Sequence, residues 1–114
     1  MRIITGRFKG RTLALVYDRG IRPATDRVRG SIFNMLQNRL SLLDAHVLDL
    51  FAGTGSLGFE ALSRGAEGVV FVDANPAALD IVEENAQMLD CLDNCEIIED
   101  DALSFISRAT NEFD

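Results

Sequence analysis

The stretch Asp49-Leu50-Phe51-Ala52-Gly53-Thr54-Gly55-Ser56-Leu57-Gly58 decides how the rest of the chain is read. Gly53, Gly55 and Gly58 satisfy G-x-G-x-x-G, a weak signal taken alone. Its setting strengthens it. Val47-Leu48-Asp49-Leu50 reads as a strand, and a helix over about Ser56–Ser63 ends at Arg64-Gly65. Glycine at a strand-to-helix turn permits a tight bend and close backbone approach, and the helix start beyond it offers free N–H groups.

Working toward the C-terminus, Val69-Val70-Phe71-Val72 is a second strand. Asn75-Pro76 supplies a cap and a first-turn proline for a helix to about Leu89, with Leu79, Val82, Ala86 and Leu89 as its buried stripe. Cys95–Ile98 makes a third strand and Ala102–Arg108 a short helix. Continuous apolar strands in βαβα order call for a parallel sheet covered on both faces, the first half of a doubly wound α/β fold.

Each strand carries an aspartate in or just beyond its last residues: Asp49, Asp73 and Asp101. Their separations, 24 and 28 residues, are each about one βα unit. All three are therefore expected on one edge of the sheet, where open α/β sheets bind ligands. Glu99 and Asp100 compete with Asp101 for the third place. A single such aspartate is usually a helix cap or a solvated turn residue; three beside a glycine loop favour a ligand site.

Working toward the N-terminus, Arg2–Ile4 and Thr12–Val16 are β-prone runs around Gly6-Arg7-Phe8-Lys9-Gly10. That pattern predicts a hairpin with a basic tip, ended by Asp18-Arg19-Gly20. A helix starts at Thr25 or Asp26, with Val28, Ile32, Leu36 and Leu40 as an apolar stripe and Phe33 alongside. Arg27, Asn34 and Asn38 share another face. Residues 1–44 thus form a basic extension and residues 45–114 the α/β unit.

The net charge of -7 averages two opposite surfaces. Residues 1–40 hold nine basic side chains against two acids, +7, and the remainder two against sixteen, -14. Eight of the nine are arginine, whose planar fork suits phosphate, so this segment reads as an arm for a polyanion. The bland alternative is mutual neutralisation within the fold.

A 47% hydrophobic, 25% charged composition fits a globular chain and is too apolar for disorder. No apolar run approaches the roughly 20 residues of a membrane span, and the start lacks a secretory signal. Cys91 and Cys95 cannot build a disulfide framework and make a poor zinc site. They read as buried thiols in a reducing cytoplasm, and no metal is expected. His46, the only histidine, opens a strand at the end away from the ligand side and reads as structural. Phe51 reads as core packing rather than an adenine platform, and Glu83, Glu84, Asp90 and Asp93 as solvated.

Two ligands compete for the glycine loop. A dinucleotide brings a pyrophosphate, which Asp49, four residues before Gly53, would repel. S-adenosyl-L-methionine has no phosphate, and carries a sulfonium, an α-ammonium group and a ribose. In that reading Asp49 faces the amino-acid end, while Gly53 and Gly55, with Ala52 and Thr54, admit the donor. Asp73, 20 residues after Gly53, holds the ribose with Ala74 beside it, and Asp101 with Ala102 lies by the adenine.

Five segments then come in a telling order: Met1-Arg2-Ile3-Ile4, Gly6-Arg7-Phe8-Lys9-Gly10-Arg11, Arg22-Pro23-Ala24-Thr25-Asp26-Arg27-Val28, Phe33-Asn34-Met35-Leu36 and Asp49–Gly58. Glu60-Ala61-Leu62-Ser63-Arg64-Gly65-Ala66 follows directly. Together they resemble the bacterial 16S ribosomal RNA guanine-N2 methyltransferase family over nearly the whole chain. The resemblance implies a Rossmann-like S-adenosylmethionine-dependent methyltransferase fold with an N-terminal extension that engages ribosomal RNA or the small-subunit particle. It implies methyl transfer to an exocyclic guanine amine. By position, Arg22, Thr25, Asp26 and Arg27 match the segment beside the cofactor and substrate pocket, and Arg7, Lys9 and Arg11 the basic hairpin.

One departure stands out. The family's Asn/Asp-Pro-Pro-Tyr/Phe motif, at the end of its fourth strand, is missing, because Pro23 and Pro76 are the only prolines. The 114 residues are therefore expected to be a fragment that cannot complete the reaction alone, with no catalytic residue assigned in it. The family's fourth strand lies beside the first, so Val47–Leu50 is expected as a bare apolar edge. A DNA or protein amino-methyltransferase, an NAD-dependent dehydrogenase and a non-catalytic RNA-binding module remain as rivals.

Overall fold

The computed structural model describes residues 1–14, 26–39, 41–50, 52–108 and 113. Expectations for Val16, Asp18-Arg19-Gly20, Arg22, Thr25, Leu40 and Phe51, and for the side chain of Asn38, lie outside the described residues.

Three parallel strands form the sheet: β1 (His46–Leu50), β2 (Gly68–Asp73) and β3 (Cys95–Glu99), in the order β1-β2-β3. Asp49 is in register with Phe71, and Asp73 with Glu99, so the acids do gather at the carboxyl ends. The helices are α1 (Asp26–Arg39), α2 (Ser56–Ser63), α3 (Pro76–Met88) and α4 (Ala102–Arg108). A 3-10 turn, Leu92–Asn94, precedes β3 and was not foreseen.

Local chemistry explains the boundaries. Asn75 caps α3 by accepting from Ala77 N at 3.0 Å, and Pro76 occupies the first turn. Leu79, Val82, Ala86 and Leu89 are buried as their spacing predicts. Phe59 of α2 and Phe71 of β2 meet with ring centroids 4.9 Å apart, and both are fully buried. Each Phe contributes about 2–3 kcal/mol by burial. Val70, Val72 and Phe105 form a second cluster on the opposite sheet face, under α4. Among the described residues β1 pairs with β2 alone.

Residues 1–14 turn back on themselves as the hairpin pattern predicts, with an antiparallel bridge between Arg2 and Thr12 and backbone bonds from Ile3 N to the Arg11 carbonyl and from Leu13 N to the Met1 carbonyl. The arm is docked onto the α/β unit. Ile3, Phe8 and Leu13 enter the same core as Phe59, Leu62 and Phe71. Gly6 (φ +92) lies so close to α2 that a Cβ would fall 1.8 Å from the Ser63 carbonyl oxygen. No other residue fits that approach.

The stripe expected on α1 faces outward. Val28, Ile32 and Leu36 are exposed, while Arg29, Gly30 and Phe33 are buried. The buried face is chosen by specific partners rather than by hydrophobicity. The Arg29 guanidinium donates to the Arg2 carbonyl at 2.5 Å, and Phe33 lies under the Arg64 guanidinium at 5.2 Å. Cys91 is buried as expected, but Cys95 is only half-buried because β3 is an edge strand. Its thiol donates to the Cys91 carbonyl at 3.3 Å. No described helix is long and apolar enough to cross a membrane.

Candidate functional site

The glycine loop joins β1 to α2 and is tied to both carboxylates. Asp49 Oδ2 accepts from Gly58 N at 3.1 Å. Asp73 Oδ2 accepts from Gly53 N at 3.0 Å, and its Oδ1 from Asn75 N at 2.9 Å. One acid thus holds the end of the loop and the other its first glycine. Each carboxylate oxygen has further lone pairs, so these bonds leave acceptor capacity for a ligand.

Asp49 is 7% exposed, and burial pushes its carboxyl up to about 7. The Gly58 amide pulls it down, and the charge of Asp73 adds to the rise. Asp49 also lines an apolar pocket of about 240 Å³ with Phe33, Leu36, Leu42 and Leu57. A carboxylate desolvated in this way, beside a second acid, favours a cation and disfavours a phosphate. By that donor chemistry the residues present fit a sulfonium donor.

Other predicted residues divide. Ala52 and Thr54 are buried within the loop, and Ala74 is exposed just beyond Asp73. Gly55 has a packing reason as well, because a Cβ there would lie 2.6 Å from the Phe59 ring. Asp101 lies at the same edge, but its Oδ2 accepts from Ser104 N at 3.1 Å as the cap of α4. Ala102 is buried at the start of that helix. Glu99, in register with Asp73, is exposed, and Asp100 pairs with Arg108.

In the arm, Arg7, Lys9, Arg11 and Arg27 are exposed. Arg7 stacks over the Phe8 ring at 4.5 Å, and Arg11 Nη2 donates to the Met88 carbonyl at the end of α3 at 2.7 Å. His46 is exposed at the far end of the sheet, its Nε2 3.2 Å from Glu67 Oε2. Glu83, Glu84, Asp90 and Asp93 are exposed as expected. No described group of three or more His, Cys, Asp or Glu residues could hold a metal ion.

Glu60, Arg64 and Asn85 are among the buried polar residues that went unrecognised in the sequence. Glu60 Oε1 accepts from Ile4 N at 2.9 Å, and its Oε2 from Thr5 N at 3.2 Å and Arg64 Nε at 3.0 Å. Arg64 Nη1 donates to Asn34 and Gln37 of α1 at 3.0 and 2.7 Å. Asn85 bonds both Ala14 and Thr54. A signal for Glu60 was available, since it is the one charged residue of α2 and is flanked by Gly58-Phe59 and Ala61-Leu62.

The solved methyltransferase and methylase structures that the chain resembles place this parallel βαβ sheet, with its glycine turn and paired carboxylates, in the Rossmann-like methyltransferase class. Residues 1–114 match the family described as Conserved hypothetical protein 95. The chain belongs to that family, together with the ribosomal RNA small subunit methyltransferase D proteins. It is 38% identical to that methyltransferase of Haemophilus influenzae over 113 residues, covering 98% of this chain and 58% of the relative. The Escherichia coli K12 protein of the same name is 39% identical over 108 residues, covering 95% and 53%. The solved structure of yhhF from Escherichia coli superposes with a TM-score of 0.81 at 38% identity, covering 94% of this chain and 56% of that one. The chain therefore spans a little over half the length of these relatives.

Proposed function

We propose that the whole protein transfers a methyl group from S-adenosyl-L-methionine to the exocyclic N2 amine of a guanine in small-subunit ribosomal RNA, in the cytoplasm. The observation that carries this reading is the pair Asp49 and Asp73, both bonded to the glycine loop of a chain in this family. The donor supplies an electrophilic methyl group on a sulfonium. Asp49, whose carboxyl burial raises to about 7, would lose its proton to solvent on meeting that cation, and Asp73 and Ala74 would receive the ribose. Ala52, Gly53, Thr54 and Gly55 shape the loop around the donor, with Asp101 and Ala102 beside the adenine and Thr25 as a further donor contact.

In this reading residues 1–44 serve as the RNA-facing extension and residues 45–114 as the cofactor half. Arg7, Lys9, Arg11, Arg22 and Arg27 meet the phosphates of ribosomal RNA, free or in the assembled particle. The guanine-gripping Asn/Asp-Pro-Pro-Tyr/Phe motif is not among the 114 residues, so this chain alone binds the donor without turnover.

Labelled donor and deproteinised small-subunit RNA test both halves of the proposal. The full-length protein of this gene should yield N2-methylguanine on nuclease digestion, and the 114-residue chain none. Label on another base or another atom would refute the specificity, and turnover by the short chain would refute its incompleteness.

A further inference from the structure

Asn85 lies in the middle of α3, fully buried beside Val82 and Ala86. Asparagine is a poor residue for a helix interior, and a buried carboxamide has to find partners for its donors and its acceptor. All of the carboxamide's hydrogen bonds leave the helix. Its Oδ1 accepts from Ala14 N at 2.7 Å, and its Nδ2 donates to the Ala14 carbonyl at 3.1 Å. The same nitrogen donates to the Thr54 carbonyl at 3.1 Å. Thr54 stands between Gly53 and Gly55 in the turn that would receive the donor.

A leucine would fill the same volume. It could not hold the arm and the glycine turn with one rigid plane. If Thr54 shifts, either a buried N–H loses its acceptor or the carboxamide rotates away from Ala14, and both outcomes are costly. A second contact runs the same way, with Met1 Sδ 3.9 Å from Thr54 Oγ1. The Gly53–Gly55 turn and the end of the docked arm are therefore held by one side chain, so a shift of either is transmitted to the other.

We propose that Asn85 is a positioning residue that couples the donor site to the RNA-facing arm, so that each ligand tightens the binding of the other. This rests on the reading of the loop as the donor site and of the arm as the RNA contact. The coupling acts equally in both directions.

The test is calorimetric titration of the full-length protein with S-adenosylmethionine, with and without deproteinised small-subunit RNA at fixed salt. The wild-type affinity should rise on the order of tenfold when RNA is present. In Asn85→Leu the ratio of the two affinities should fall to near one, whereas a merely structural role would lower both alike. Hydrogen exchange on the wild-type protein provides a second measurement that needs no variant: S-adenosylmethionine alone should slow exchange of the Ala14 amide. Donor binding that RNA leaves unchanged, a ratio preserved in folded Asn85→Leu, or an Ala14 amide indifferent to donor would each overturn the coupling alone. No donor binding in either condition would overturn the donor site itself.

Discussion

Asp49 titrates near neutrality chiefly because burial raises its carboxyl, with the Gly58 amide opposing and the charge of Asp73 adding to the rise. Its folded value, about 7, lies above the 3.8 of an exposed aspartate, so between those pH values the folded chain holds a proton the unfolded chain has lost. The stability this confers is complete below about pH 4 and is lost as pH rises through 7, by about 4 kcal/mol in all. Asp49→Asn keeps an acceptor for Gly58 and removes the charge. Thermal melts should then show a weaker decline from pH 5 to pH 8, and a higher Tm than wild type at pH 8 by several degrees. Donor affinity should fall and lose its increase with pH. An unchanged stability slope would place the titration on another group. Glu60 is the opposite case, a buried acid paired with a buried base. Glu60→Gln leaves the Arg64 guanidinium buried without its counter-charge, at a cost of about 3–5 kcal/mol in urea unfolding. A loss below about 1 kcal/mol would mean that the pair is solvated. At this scale Asp49 and Asp73 were legible because strand ends and spacing place them. Asn85 was not, since nothing local tells a buried asparagine from a solvated one.

Elements were the most legible level. The Asn75-Pro76 start and the apolar spacing of α3 are local signals, and the described helix follows them. The stripe on α1 is equally regular, yet the helix buries its Arg29–Phe33 face. Periodicity reports that a face is apolar, while tertiary partners decide which face turns inward. Those partners, Arg2 and Arg64, are distant in sequence, so no window around α1 contains them. The glycines of the loop also serve the packing of elements. A Cβ on Gly58 would come within 2.3 Å of the Phe71 ring, between α2 and β2. Gly58→Ala should therefore cost about 1–3 kcal/mol in stability by overpacking, read from the denaturant midpoint. A neutral outcome would show that Phe71 has room to turn.

The molecule as a whole carries a basic arm folded onto an acidic body. The charge asymmetry was legible from composition, but the docking was not, because it runs through Glu60, Ser63 and Asn85 to backbone atoms of the arm. Docking buries Arg29 but leaves Arg7, Lys9 and Arg11 exposed. Substituting the three together should reduce the slope of log affinity for ribosomal RNA against log salt by about 2. An unchanged slope would clear the hairpin of phosphate contact.

Side-by-side titration of the chain with S-adenosylmethionine and with NAD, followed by heat, asks directly which ligand the sheet edge holds. Saturable binding of S-adenosylmethionine that is lost in Asp73→Ala, with no heat from NAD, is the predicted result. Binding of NAD, or binding of S-adenosylmethionine that survives replacement of both Asp49 and Asp73, would contradict a carboxylate-lined donor site.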